Sequence, residues 1–318
     1  MKKIQIPETD LALFPIGLGT VNAGGRWSDR EAMRIFDAYY DYGGNVIDTA
    51  RIYSGGKSED TVGKWLVESV KRDHVIVMTK GGHPKYEKPG DDLHIPRMTP
   101  HDMREDLELS LRSLKTDYVD IYFYHRDNPH QTIEEVIEVM EFFRKEGKIR
   151  YYACSNWTAE RIKKADDYCR DRGLRGFVAD EALYNLAARY MNPLPDDTLV
   201  SLTGELYDYH LQNPQNLVMT YMSVAGGFFH KYEKGGVTAV GGNPYGTEKN
   251  IEIAEACIEL ARDRQISLTQ AVLGFLFVQP FHCVALYGPR DSEQIIEAVK
   301  TADCHLTKND YSFLSNTQ

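Results

Sequence analysis

The sequence predicts an α/β fold, a (β/α)8 TIM barrel preceded by an N-terminal β-hairpin, and three observations carry that expectation. Short apolar, β-branched runs alternate eight times with segments of helical spacing. Several of those runs end abruptly in a polar residue, most clearly Asp48, Lys80 and His125. No linker, composition shift or low-complexity tract interrupts the alternation, so residues 1–318 read as one domain. Barrels of this architecture carry their chemistry on strand ends and the loops that follow them.

Taken in order, Ile4, Ile6, Leu11 and Leu13, split by Pro7-Glu8-Thr9-Asp10, read as the hairpin. Pro15–Thr20 is the first barrel strand, and Ser28-Asp29 starts a helix with Met33, Ile35, Phe36 and Tyr40 toward the core. The second strand ends in Asn45-Val46-Ile47-Asp48-Thr49-Ala50-Arg51-Ile52-Tyr53, and Gly55-Gly56 break the chain before a helix from about Ser58. His74–Lys80 is the third strand, followed by a loop from Gly81 to Arg97 and a helix opened by Thr99-Pro100, with Pro at a favoured first position. Tyr118–His125 and Ile149–Asn156 are the fourth and fifth strands, separated by a helix over 132–147. A helix over 158–172 leads to a sixth strand beginning at Gly176. Residues 196–212 read as helix and 217–223 as the seventh strand. Ala225 to Gly246 is Gly-rich and long enough to be a functional lid. Helices over 247–264 and 267–278, the strand Cys283–Tyr287 and a last helix to about Ala302 complete the chain.

Composition narrows the functional classes. The chain has 318 residues and a formal net charge of −10, which argues against nucleic-acid binding through bulk charge and against an anionic membrane surface. No apolar run is long enough to span a bilayer, and MKKIQIPETD lacks the apolar core of a signal peptide. The five cysteines form no CxxC pair and read as reduced residues of a cytoplasmic protein. Gly17-x-Gly19 lacks the third glycine of a dinucleotide fingerprint, and no HExxH or close histidine pair suggests a metal site. His83, in Lys80-Gly81-Gly82-His83-Pro84, reads as a turn residue near a pocket rim.

Asp48, Tyr53, Lys80 and His125 fall at or just beyond consecutive strand ends, and neighbouring parallel strands lie only about 5 Å apart. A free phenol, with a pKa near ~10, is a slow proton donor at neutral pH. An adjacent ammonium favours the phenolate, an aspartate holds that ammonium charged, and a histidine can orient a substrate oxygen. The set suits protonation of a carbonyl oxygen while another group delivers hydride to the carbon.

These residues resemble the aldo-keto reductase family. Gly17-Leu18-Gly19-Thr20, Ile47-Asp48-Thr49-Ala50 with Tyr53, Thr79-Lys80, Tyr118-Val119-Asp120-Ile121-Tyr122 with His125, and Gly147-Lys148-Ile149-Arg150 with Ser155-Asn156 match the family in order from about residue 12 to about 300. The resemblance implies a nicotinamide cofactor, NADP(H) or NAD(H), with Tyr53 as general acid/base, Asp48 and Lys80 tuning it and His125 positioning a small-molecule carbonyl or alcohol. It also implies cofactor contacts from Gly19, Thr20, Val21 and Asp48 near the nicotinamide ribose and from Ser155 and Asn156 to the carboxamide. Tyr221 would stack on the ring, Met222, Val224 and Gly226 would lie near the pyrophosphate, and Arg290, Gln294 and Glu297 at the adenosine end. Three departures stand out. Glu181 occupies the place of a family Gln that grips the carboxamide, Ala298 replaces an Asn, and Gln294 stands where a basic residue is common. Arg290 is suited to meet a 2′-phosphate, although Asp291 beside it would repel one. Trp27 and Trp157 are expected to wall the substrate space, which would suit a sugar or an aromatic carbonyl. The alternative from another class is a cofactor-binding regulatory or sensing subunit with little turnover, and a barrel hydrolase using Asp48 as base is a second rival.

Overall fold

The computed structural model describes residues 3–85 and 90–317. Strands β1 (Ile4–Gln5) and β2 (Ala12–Leu13) form the antiparallel hairpin, Ile4 opposite Leu13. Then follow β3 (Ile16–Gly19), α1 (Asp29–Asp41), β4 (Val46–Asp48), α2 (Lys57–Ser69), β5 (Ile76–Gly81), α3 (Pro100–Leu114), β6 (Val119–Tyr124) and α4 (Ile133–Lys145). The second half contains β7 (Ile149–Ser155), α5 (Ala159–Asp171), β8 (Ala179–Leu183), α6 (Glu205–Gln212) and β9 (Leu217–Tyr221). It ends with α7 (Phe228–Val240), α8 (Glu248–Asp263), α9 (Leu268–Phe277), β10 (Cys283–Tyr287) and α10 (Ser292–Val299). Strands β3 to β10 close into a parallel eight-stranded barrel, β10 pairing with both β9 and β3. Among the described residues no helix is long and apolar enough to cross a membrane.

Local chemistry starts the helices where the sequence signals them. Ser28, Thr99, Thr132 and Ser267 each form a reciprocal capping box with the residue three positions on, satisfying backbone donors that the first turn leaves free. The helices wrap the barrel and bury their apolar stripes against its outer face, in a cluster that includes Phe36, Trp65, Leu107, Met140 and Phe143.

Side-chain alternation along each strand explains where the site lies. A separate apolar cluster contains Val46, Ile76, Met78, Ile121, Phe123, Ala153, Ala179, Leu217, Met219, Val284 and Leu286. These are the inward positions of β4 to β10, and Ile6, Leu11 and Leu13 of the hairpin join them. Because side chains alternate with period two, the next inward position on each strand lies one layer higher. Counting two on from the last apolar residue reaches Asp48, Lys80, His125, Ser155, Glu181, Tyr221 and Gly288, and on β3 two on from Gly17 reaches Gly19. The barrel interior is thus apolar for its lower depth and changes to polar at the layer facing the C-terminal loops.

Three expectations require correction. The expected lid over 225–246 is a short 3-10 turn at Ala225–Gly227 followed by α7, with Phe228, Phe229, Val240 and Tyr245 buried. Its glycines break the helix rather than free the segment: Gly236 has φ 60° and ψ −156° inside α7. The helix expected from Asp196 begins only at Glu205, because Asp196 and Thr198 instead bind Arg126. The sixth barrel strand starts at Ala179 rather than Gly176, since Gly176 sits at φ 75°. Residues 86–89 of the expected 81–97 loop lie outside the described residues.

Helices α2 and α3 touch through Gly63. A Cβ there would lie 2.1 Å from the Ser113 carbonyl oxygen and 2.8 Å from the carbonyl carbon of Leu114. An alanine in mid-helix ordinarily gains up to about 1 kcal/mol over glycine. Gly63→Ala is expected to reverse that sign and destabilise by about 1–3 kcal/mol through overpacking. Urea unfolding checks it, and a raised midpoint would show that the helices do not approach so closely.

Candidate active site

At the centre of the polar layer is the fully buried ammonium of Lys80. It donates to Asp48 Oδ1 at 2.5 Å, to the Thr49 carbonyl at 3.2 Å and to the Tyr53 hydroxyl at 3.4 Å, and it lies 3.3 Å from Glu181 Oε2. Burial works against the charged amine, but Asp48 and Glu181 outweigh it and hold its pKa above the usual lysine range. Asp48 and Glu181 are themselves buried at 3 % and 2 % exposure, so this is a cluster of three ionisable groups removed from water.

Tyr53 leaves the barrel after β4 and opens a 3-10 turn, Tyr53–Gly56. Ser54 at φ 50°, Gly55 at φ 64° and Gly56 at φ 90° form a left-handed run that brings the chain round to α2. Burial raises the phenol's pKa, the Lys80 ammonium pulls it down, and Asp48 and Glu181 raise it further. The expected ammonium effect is present, but the net direction in the open cleft is upward, so the hydroxyl carries its proton at neutral pH.

The ring of His125 packs edge-on to Tyr53 at 5.8 Å between centroids, and His83 packs edge-on to His125 at 4.7 Å. Burial, with His83, Arg126 and Lys80 nearby, lowers the pKa of His125, leaving a neutral imidazole whose Nδ1 has no hydrogen-bond partner among the described residues. His83 is likewise lowered to about 4, by burial and then by Arg126, and its Nδ1 is 2.7 Å from the Pro84 carbonyl. The turn residue of the sequence reading is therefore a ring stacked against the site.

A cleft of about 320 Å³ opens beside these groups. Gly19, Val21, Asp48, Tyr53, His125, Ser155, Asn156, Glu181, Tyr221 and Met222 all line it. Asn156, at φ 62°, is the hub of one wall. Its Oδ1 accepts from the Tyr221 hydroxyl at 2.6 Å and from the Val200 N–H at 3.1 Å, and its amide donates to Ser155 Oγ at 3.0 Å. A second cavity of about 630 Å³ lies on the far side of Lys80 and His83, lined also by Arg51, Arg97 and Asp106.

Other expected residues stand apart from this cleft. Thr20 is buried and its hydroxyl is engaged with the Asp48 carbonyl and Ser58, so it ties the first two loops together. Val224 and Gly226 belong to the turn into α7. Arg290, Gln294 and Glu297 lie at and within α10. Gln294 Oε1 accepts the Arg290 N–H, while Asp291 caps the helix by accepting from the Gln294 N–H at 2.9 Å.

The two tryptophans do not wall the cleft. Trp27 packs against Phe36, and Trp157, fully buried, packs between Tyr124 and Phe177 with its indole N–H on the Arg126 carbonyl. Both were expected at the substrate because they follow strand ends, but their bulk is spent joining loops to the helical layer. Sequence reasoning overlooked Arg126, Leu199, Leu286 and Gly288, which also line the cleft. Arg126 had a signal, since it follows His125 at a strand end; Leu199 had none, because it falls in the 196–212 segment read as helix, whereas the helix begins only at Glu205. Arg126 is held by Asp196 at 3.1 Å, by Thr198 Oγ1 at 3.0 Å and by the His125 carbonyl, which straps this segment to the site.

Comparison with known proteins places these observations. The family model described as the aldo/keto reductase family matches residues 15–316. The chain is 32% identical over 192 residues to norsolorinic acid reductase B of Dothistroma septosporum, covering 58% of this chain and 49% of that protein. It is 33% identical over 199 residues to an NADP(+) aryl-alcohol dehydrogenase of Phanerodontia chrysosporium, covering 58% and 51%. It therefore spans about half the length of these curated relatives. Over 92% of its length it is 24% identical to a probable aryl-alcohol dehydrogenase of Saccharomyces cerevisiae, covering 89% of that protein. In fold it matches an aldo-keto reductase of Klebsiella pneumoniae solved with NADPH, with TM-score 0.74 at 22% identity, covering 99% of this chain and 94% of the other.

Replacing Lys80 with Met would leave Asp48 and Glu181 facing each other without a cation. Both acids would then have folded-state pKa values well above their unfolded ones. Their penalty is absent below the unfolded carboxylate values, where they are protonated in either state, grows as pH rises above those values and levels off once pH passes the elevated folded ones. The stability difference between wild type and Lys80→Met is therefore expected to widen from pH 5 to pH 8, reaching about 3–5 kcal/mol. Urea midpoints across that range check it, and a pH-independent difference would contradict the charge cluster.

Proposed function

The chain belongs to the aldo/keto reductase family, and from that premise we propose that it is an NAD(P)-dependent oxidoreductase that interconverts a carbonyl and an alcohol, with Tyr53 as general acid/base. The observation that carries the reading is the meeting of the Tyr53 hydroxyl, the Lys80 ammonium, the Asp48 carboxylate and the His125 ring on one cleft. Four groups suited to proton delivery converge from three strands and one loop, far more than chance surface polarity supplies.

The residues present fit a nicotinamide group. An aromatic face at Tyr221, polar groups at Ser155, Asn156 and Glu181, and the open volume between them and Tyr53 match a flat ring bearing an amide. Such a cofactor supplies or accepts the hydride when bound. Everything else falls to the chain. Tyr53, protonated at neutral pH, gives its proton to the carbonyl oxygen as that oxygen gains charge. Lys80 stabilises the phenolate that results, and Asp48 keeps Lys80 charged and in place. His125 stays neutral, so it can hydrogen-bond the oxygen without competing for the proton. Arg290, exposed at the start of α10, is the residue available to a cofactor's 2′-phosphate, and Asp291 is committed to the helix cap. That supports NADP(H) over NAD(H).

For the substrate we favour an aromatic aldehyde or its alcohol. The burial of Trp27 and Trp157 removes the aromatic wall on which a sugar-like substrate rested. The apolar lining from Val21, Leu199, Met222 and Leu286 gives a planar aromatic group surface to cover, in keeping with the aryl-alcohol names of several relatives. The test is turnover on aldoses, glycosides and aromatic aldehydes by wild type and Tyr53→Phe. Wild type is expected to prefer the aromatic aldehydes, and Tyr53→Phe to lose about 10²–10⁴ in rate while binding cofactor within a few-fold of wild type. Unchanged turnover in Tyr53→Phe would remove the assignment of Tyr53, and equal or better turnover of sugars would remove the substrate class.

A further inference from the structure

Glu181 has no counterpart in the proton-delivery scheme above. It is 2 % exposed, lies on β8 opposite Ser155 of β7 and Met219 of β9, and lines the cleft. Among the described residues its Oε2 accepts no hydrogen bond, and the charge facing it is the Lys80 ammonium at 3.3 Å, which Asp48 already holds at 2.5 Å. Two carboxylates thus share one buried cation. With Glu181 ionised the cluster carries one net negative charge, and with Glu181 protonated it carries none. The surrounding groups do not cancel that charge. Tyr53 and Tyr221 are phenols with raised pKa values, His125 and His83 are neutral, and Arg126 is matched by Asp196. Asp180, the neighbour of Glu181 on β8, is paired with His210 on the other side of the strand.

A nicotinamide ring is neutral when reduced and cationic when oxidised. We propose that Glu181 is a specificity-determining residue for the oxidation state of the cofactor: its carboxylate favours the oxidised ring, so that binding the oxidised form drives Glu181 to release a proton. This inference rests on the cofactor reading above and adds to it a residue, a charge and a direction. Burial, opposed by Lys80 and reinforced by Asp48, pushes the Glu181 pKa up to about 8. At neutral pH Glu181 is therefore mostly the neutral acid before cofactor binds, and a cation arriving in the cleft displaces the proton. The reduced ring offers no such charge and leaves Glu181 protonated. Because Glu181 ionises only with the oxidised ring and stabilises it, the bound equilibrium is biased toward carbonyl reduction, with the proton released to solvent. A neutral side chain of the same shape at this position would make the amide contact without the bias.

The experiment is calorimetric titration of the intact protein with NADP⁺ and with NADPH from pH 6 to pH 9, in two buffers of different ionisation enthalpy, repeated with Glu181→Gln. In wild type the ratio of the NADPH to the NADP⁺ dissociation constant is expected to rise about tenfold per pH unit below pH 8 and to level off above it. NADP⁺ binding at pH 7 should release close to one proton more than NADPH binding. The ratio removes titrations common to both forms, including that of the 2′-phosphate. In Glu181→Gln the ratio should be flat and the extra proton lost. A wild-type ratio independent of pH overturns the proposal without any variant, and a slope retained in Glu181→Gln assigns the proton elsewhere and overturns it too. Failure of either form to bind is a distinct result, since it overturns the cofactor reading on which the proposal stands.

Discussion

A single buried ammonium organises the upper part of this barrel. Lys80 is held by Asp48 and Glu181 and touches the Tyr53 hydroxyl, and each of these groups comes from a different strand or loop. Removing charge from water is expensive, and it persists only where opposite charge and hydrogen bonds replace the lost solvation. Here the compensation is local and nearly complete on the Asp48 side, while Glu181, its pKa raised by burial and by Asp48, adds a second acid beside the same cation. The balance sets the protonation of the layer: the phenol stays loaded with its proton beside a cation that also stays charged, the arrangement on which the proposed role of Tyr53 rests. A site built this way requires little reorganisation when charge moves, the condition under which electrostatic stabilisation is most effective.

The period-two alternation of the strands delivers these groups to one layer. Along β4, β5, β6 and β8 the inward positions run from apolar residues below to Asp48, Lys80, His125 and Glu181 above. The dry floor of Met78, Phe123, Met219 and Leu286 supplies the low dielectric that makes the ion pairs matter. The wrapping helices and the hairpin support this arrangement without contributing chemistry of their own.

Most of this was legible in the sequence because it depends on local rules. Buried strands show as β-branched runs, helix starts show as Ser or Thr followed by a partner three residues on, and a polar residue at a strand end is conspicuous against its apolar neighbours. What was not legible depends on long-range packing. Trp157 follows Asn156 and so resembles a site residue, but Tyr124 and Phe177 claim its ring. His83 sits in a Gly-Pro turn and resembles a spacer, but that turn folds its ring onto His125. Leu199 enters the cleft beside Arg126 because Asp196 and Thr198, read as part of a helix, instead bind Arg126 and pin the segment after β8 against it. The glycine-rich 225–246 stretch read as long enough to be a lid, but Phe228 and Phe229 anchor most of it as a helix.

The account stands or falls on whether hydride moves to carbon in the cleft beside Tyr53. A single turnover with an aromatic aldehyde and NADPH carrying deuterium at the transferable position of the ring measures this directly. The account predicts that the label appears on the new carbinol carbon, one equivalent per cofactor oxidised. Alcohol formed without the label, or aldehyde consumed while the reduced cofactor stays intact, would contradict it.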